Sequence, residues 1–150
     1  MTGHTESSDP ITGVAAGVPY LAAPPTGGAR PDAPVVVGWH LLDPPRTESA
    51  FAAAVPLAGL DAWRIYLGLP LSGSRGLPPE EIMRLGYEDV VANLYEPIAF
   101  GALAEFPSAL AELRRILRLE SGPLGVFGGS MGAAVALLVL LESDVDVDAA

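Results

Sequence analysis

Ser130 lies in the run LGVFGGSMGAA, residues 124–134, and the spacing of small residues around it suits one kind of chemistry. The run contains Gly128-x-Ser130-x-Gly132 between an apolar stretch that reads as a strand and a small-residue stretch that reads as a helix. A serine becomes a useful nucleophile when a sharp strand-to-helix turn lifts its Oγ clear of the sheet. The residues two before and two after must then be tiny, because their backbones nearly touch. Gly128 and Gly132 meet that demand, and Ala133 and Ala134 would let the helix lie close to the sheet. The helix N-terminus would turn unbonded N–H groups toward an anion beside Ser130, with the Met131 N–H as one donor to an oxyanion. Acyl transfer through Ser130 is the chemistry these residues predict.

Composition removes most competing chemistries. The chain of 150 residues carries 8 Lys+Arg against 18 Asp+Glu, a formal charge of -10, which disfavours nucleic acid as a partner. All of its basic residues are arginine, so the P-loop lysine, Schiff-base chemistry and Ser-x-x-Lys pairs are excluded. The absence of cysteine excludes disulfides, thiolate metal sites and cysteine nucleophiles. His4 and His40, the two imidazoles, are far apart in the chain, so no metal site is expected. No organic cofactor is implied either: the dinucleotide fingerprint G-x-G-x-x-G is absent from the Gly128–Gly132 turn. Residues 1–10 lack a basic segment followed by an apolar one, and no apolar run reaches the length of a membrane span. A cytoplasmic protein without membrane insertion is the expectation. Half of the chain is apolar and 17% is charged, so it should fold around a core.

The elements that must hold Ser130 follow from punctuation and patterning. Residues 1–13 read as a flexible leader, and residues 14–150 as a single domain portion. Residues 17–23 form a short extended candidate, and residues 26–34 a turn. Val35 to Leu42 is β-branched at its start and apolar almost throughout, the pattern of a strand buried on both faces. Thr47 caps a predicted helix over the alanine-rich 50–60 segment, and residues 62–67 form the next strand, completing a βαβ unit. Residues 80–96 have mixed helical character. Pro107 opens a predicted helix to about Leu119, with Leu110, Leu113 and Ile116/Leu117 on one face. Leu124 to Phe127 is then a short strand, and Ala133 to Glu142 a helix. The alternation predicts an α/β fold with a mostly parallel central sheet flanked by helices. Trp39, Trp63, Tyr66 and Phe127 read as core.

With its strand, its helix and its G-x-S-x-G turn, the chain resembles the α/β-hydrolase superfamily over roughly residues 14–148. The resemblance implies Ser130 as nucleophile and Met131 as one oxyanion donor, with a second donor from the loop after the Val35–Leu42 strand. That donor falls at Leu41 or Leu42, with Leu41 taken first. His40 precedes the nucleophile, whereas the family's base follows it. It is therefore read as a residue that shapes the oxyanion loop. The resemblance implies a small ester or acyl substrate.

The expected base and its orienting acid do not follow Ser130, and neither do the further strands of the family's sheet. The chain therefore reads as the N-terminal portion of an α/β-hydrolase-like domain, incomplete at its C-terminal side and inactive or weakly active in this truncated form. The Leu124–Phe127 strand would then be an apolar edge open to self-association. Asp144, Asp146 and Asp148, alternating with valine, look like the lead-in to another strand. Two rival readings remain: a non-catalytic hydrolase-like domain that binds an acyl ligand or a partner, and a nucleotide-binding domain using the Gly128–Gly132 turn.

Overall fold

Three apolar strands with β-branched or aromatic residues form the middle of the sheet. They are β3 (Val35–Trp39), β4 (Trp63–Leu67) and β5 (Leu124–Gly128). A computed structural model describes residues 9–150, so His4 and most of the expected leader lie outside the described residues. Strand β3 pairs in parallel with both neighbours, Val35 opposite Trp63 on one side and opposite Leu124 on the other. The helix α1 (Glu48–Ala54) makes the β3-to-β4 crossover. As expected, Thr47 caps it: the Thr47 Oγ1 accepts from the Ala50 N–H at 3.1 Å.

The sheet is less parallel than expected. Strands β1 (Ile11–Ala15) and β2 (Val18–Ala23) form an antiparallel hairpin, and β2 also pairs antiparallel with β4, giving the order β1-β2-β4-β3-β5. The leader expected through residue 13 therefore overlaps a strand. Two causes hid it. Only Ala15 of β1 is buried, so apolar alternation is missing, and the turn uses Ala16 and Gly17 at φ 47° and 83° rather than an Asn-Gly or Asp-Gly pair.

Successive residues of a strand face opposite sides, and helices cover both faces. On one side Phe51 of α1 meets the Tyr66 and Phe127 rings at 5.9 and 5.7 Å. On the other, Trp39 meets Phe106 edge to face at 5.1 Å. Phe106 belongs to α3 (Glu96–Ile116), which follows α2 (Pro79–Val90) through a single π turn over Val91–Tyr95. Pro107 therefore lies inside a helix and does not open one. The buried stripe of Ile98, Ala102, Phe106, Ala109, Leu110 and Leu113 runs past the proline at helical spacing, and its burial offsets the backbone hydrogen bond that proline cannot donate.

Helix α4 (Met131–Glu142) closes the described fold, and the outer side of β5 is only partly open. The Asp148 N–H donates to the Leu124 carbonyl at 2.8 Å and the Val126 N–H to the Ala149 carbonyl at 2.9 Å. The Asp148 carboxylate accepts from the Leu124 N–H at 2.8 Å. The aspartate-valine tail thus bridges in parallel onto the edge expected to be free. Among the described residues, no helix is long and apolar enough to cross a membrane.

Phe106 is 1% exposed and supports Trp39, whose backbone in turn carries the Ser130 turn. Phe106→Ala should lower the unfolding free energy by about 3–5 kcal/mol, read by urea denaturation followed through tryptophan emission.

Candidate active site

Strand β5 delivers the chain to Ser130 level with the end of β3, since Gly128 lies opposite Trp39 in the register. The turn is built from backbone in contact with backbone. A β-carbon on Gly128 would overlap the Gly132 carbonyl, and one on Gly132 would overlap the carbonyls of Trp39 and His40. The Gly129 N–H donates to the Trp39 carbonyl at 3.3 Å, and the Gly132 N–H to the Gly129 carbonyl at 2.8 Å. With no room on either side, Ser130 takes φ 52° and ψ -115°, a conformation that an L-residue holds only under constraint. The glycine roles expected at 128 and 132 thus have a direct steric basis. The expectation for alanine holds less well: Ala134 is exposed, and Val135, Ala136 and Val139 are the α4 side chains that pack inward.

Ser130 is exposed, and although it occupies the N-cap of α4 its side chain makes no capping bond. Among the described residues the Oγ has no hydrogen-bond partner. The Met131 N–H, in the first turn of α4, has no acceptor among the described residues, so it is free to serve an anion at the Oγ.

The loop after β3 differs from expectation at one residue. The Leu41 N–H donates to the Pro45 carbonyl at 3.2 Å, which closes the loop and withdraws Leu41 as oxyanion donor. The Leu42 N–H has no acceptor among the described residues, so the free donor lies one residue later. The Leu41 side chain instead packs over Gly129, joining the loop to the serine turn.

His40 is 1% exposed and both ring nitrogens are occupied. Its Nε2 accepts from the Leu69 N–H at 2.9 Å, so the proton is on Nδ1, which donates to the Leu41 carbonyl at 2.7 Å. Burial pushes the imidazole below its ordinary value of 6.5, against the opposing pull of the Leu41 carbonyl. A ring fixed in this way shapes the loop and does not reach for the Ser130 proton. Leu69 gives no signal of this role in the sequence, because it acts through its backbone from 29 positions away.

A cavity of about 470 Å³ opens beside the loop. Its walls include Leu42, Arg46, Leu71, Ile82, Leu94 and Ile98, and Ser130 is not among them. Arg75, between the lining residues Gly73 and Gly76 in sequence, binds both carboxylate oxygens of Glu105 at 2.8 and 2.9 Å and the Gly68 carbonyl at 2.7 Å. Sequence patterning did not reveal the cavity, whose lining comes from three separate segments. Among the described residues, no group of three or more His, Cys, Asp or Glu could hold a metal ion.

The elements and the turn define an α/β protein with helices on both faces of a mixed sheet and a strained serine where β5 meets α4. The chain is similar to a solved structure, TT1662 from Thermus thermophilus, with a TM-score of 0.62 and 25% identity. The match covers 87% of this chain and 50% of that one, so the chain spans about half the length of TT1662. No protein-family model and no curated protein matches the chain.

Two outcomes follow from this geometry. Because only glycine is at ease at φ 52°, Ser130→Gly should stabilise the protein by about 1 kcal/mol while Ser130→Ala, which keeps the strain, leaves it near wild type. Thermal unfolding of the three proteins checks this. His40 is held neutral in the fold, whereas in the unfolded chain it protonates near pH 6.5. The unfolded state therefore binds more protons below that pH, so the His40 contribution is complete above 6.5 and is lost as pH falls toward the lowered folded value. Urea denaturation should show stability declining from pH 7 to about 5.5 in the wild type, with the decline flattened in His40→Asn.

Proposed function

We propose that the chain is the nucleophile-bearing portion of an α/β-hydrolase-like serine hydrolase that acts on carboxylic esters through an acyl-enzyme on Ser130. The observation that carries the reading is the exposed Ser130 Oγ, without a partner among the described residues, held at φ 52° between two glycines and followed by the free Met131 N–H. In the first step the Oγ bonds to the ester carbonyl carbon, and the Oγ proton passes to a base. The negative charge that develops on the carbonyl oxygen is held by the Met131 and Leu42 N–H groups, which need no reorganisation when the charge appears. The carbon–oxygen bond to the alcohol then breaks, and the alcohol leaves with the proton. Water attacks the acyl-enzyme in the same manner, releasing the acid and restoring Ser130.

Turnover needs the base and an acid to orient it. His40, with both nitrogens engaged, fills neither role. In this reading both groups come from outside residues 9–150, and the present chain alone is inactive or weakly active. The same observation favours a second reading, a non-catalytic hydrolase-like domain that binds a small acyl ligand or a protein partner. A fluorophosphonate probe separates the two. Mass spectrometry should find one adduct on Ser130 of the folded chain, formed slowly and lost in Ser130→Ala. An unlabelled Ser130 in folded protein supplied with its base and acid would overturn the hydrolase reading.

A further inference from the structure

The cavity beside the oxyanion loop has a charge pattern at odds with the rest of the chain. The protein carries 18 Asp+Glu against 8 Lys+Arg, yet among the described residues no carboxylate lines this cavity. Its one charged wall residue is Arg46, which makes no ion pair or hydrogen bond among the described residues. Arg30, Arg75, Arg84 and Arg115 are each paired with a carboxylate, and Arg64 donates to the Pro56 and Pro24 carbonyls. Arg114 and Arg118 share with Arg46 the lack of an ion pair or side-chain hydrogen bond among the described residues, but Arg46 is the one of the three that lines the cavity. A guanidinium left unpaired in so acidic a protein keeps its donors available for an anion from outside. Of the lining hydroxyls, Thr47 Oγ1 caps α1 and Ser72 Oγ donates to the Pro70 carbonyl at 3.2 Å, while the Tyr95 hydroxyl has no hydrogen-bond partner among the described residues. Most of the remaining lining is aliphatic, from Leu42, Leu71, Ile82, Leu94 and Ile98.

Leu42 connects this cavity to the reaction. Leu42 lines the cavity, and its backbone N–H, without an acceptor among the described residues, belongs to the loop whose Leu41 side chain packs over Gly129 of the Ser130 turn. A carbonyl held by that N–H therefore has the cavity as the adjacent space for one arm of the substrate. The volume of about 470 Å³ lies within the range of small-ligand pockets.

We propose that this cavity takes the apolar arm of an ester whose far end carries a carboxylate, and that Arg46 is the residue that selects for that charge. The inference rests on the hydrolase reading and adds the class of substrate: monoesters of aliphatic dicarboxylic acids rather than neutral esters. Because Arg46 is exposed, its attraction is screened and the preference is modest, about five-fold in affinity.

Calorimetric titration with monomethyl suberate and dimethyl suberate tests this without requiring turnover. The wild-type chain should bind the monoester about five-fold more tightly than the diester. Arg46→Gln should abolish that difference while binding the diester as the wild type does, which shows that the cavity is intact. Ser130→Ala should keep the wild-type preference. Equal affinities in the wild type, a preference that survives Arg46→Gln, or no binding of either compound would each overturn the proposal. The fluorophosphonate experiment reports separately on the reaction. Labelling of Ser130 without a charge preference removes the Arg46 assignment and keeps the hydrolase. An Arg46-dependent preference without labelling of Ser130, in protein supplied with its base and acid, keeps the anion-reading cavity and removes the hydrolase.

Discussion

The contact on which the candidate site depends is that of Gly132 with the carbonyls of Trp39 and His40. A single methyl group at either Gly128 or Gly132 would meet main chain, which cannot swing aside as a side chain can. This closeness fixes where α4 begins relative to the end of β3, and the parallel register that sets Gly128 opposite Trp39 fixes the height at which the chain turns. Between those two constraints Ser130 has no relaxed conformation left. Strain of about 1–3 kcal/mol at one residue is tolerable only where the surroundings over-determine it. Here the core of β3, α3 and α4 does so.

His40 shows how the same constraint organises the neighbouring loop. A buried imidazole is costly unless both nitrogens find partners, and the Leu69 N–H and the Leu41 carbonyl satisfy both. Two loops that follow parallel strands are thereby tied together at the sheet end from which Ser130 projects. The arrangement also resolves the tension between a histidine close to the serine turn and its unsuitability as a base. Accepting a second proton would require Nε2 to give up the Leu69 N–H inside the protein, where an unpaired donor costs about 1–3 kcal/mol. The ring is more useful to the loop neutral than charged.

Legibility in the sequence followed the strength of local constraint. Strands β3 and β5, the α1 cap, helix α4 and the glycine pair of the turn were all readable, because each rests on residue types within a few positions of one another. The β1 strand was not: with four of its five residues exposed it has no apolar period, and its antiparallel pairing rests on backbone bonds to β2 that any sequence can make. Pro107 misled for the opposite reason, since a strong local signal was overridden by the buried stripe on either side of it. Which of the Leu41 and Leu42 N–H groups bonds the Pro45 carbonyl depends on loop geometry, and two adjacent leucines cannot express it. The cavity, assembled from residues 42–98, has no sequence period at all.

The two parts of the candidate site therefore rest on different kinds of support. The serine turn is specified by main-chain sterics, which leave almost no freedom at Gly128 and Gly132. The cavity is specified by side chains on the β3–α1 loop, the β4–α2 loop and the first part of the long helical segment. Those side chains can be exchanged for others of similar volume at a cost of about 1.5 kcal/mol or less. Changing Arg46 or Leu71 leaves the turn untouched, because neither takes part in the contacts that strain Ser130. A fold organised in this way can keep the serine turn constant while the lining of the neighbouring cavity varies, which is why the sequence speaks more clearly about the turn than about the cavity.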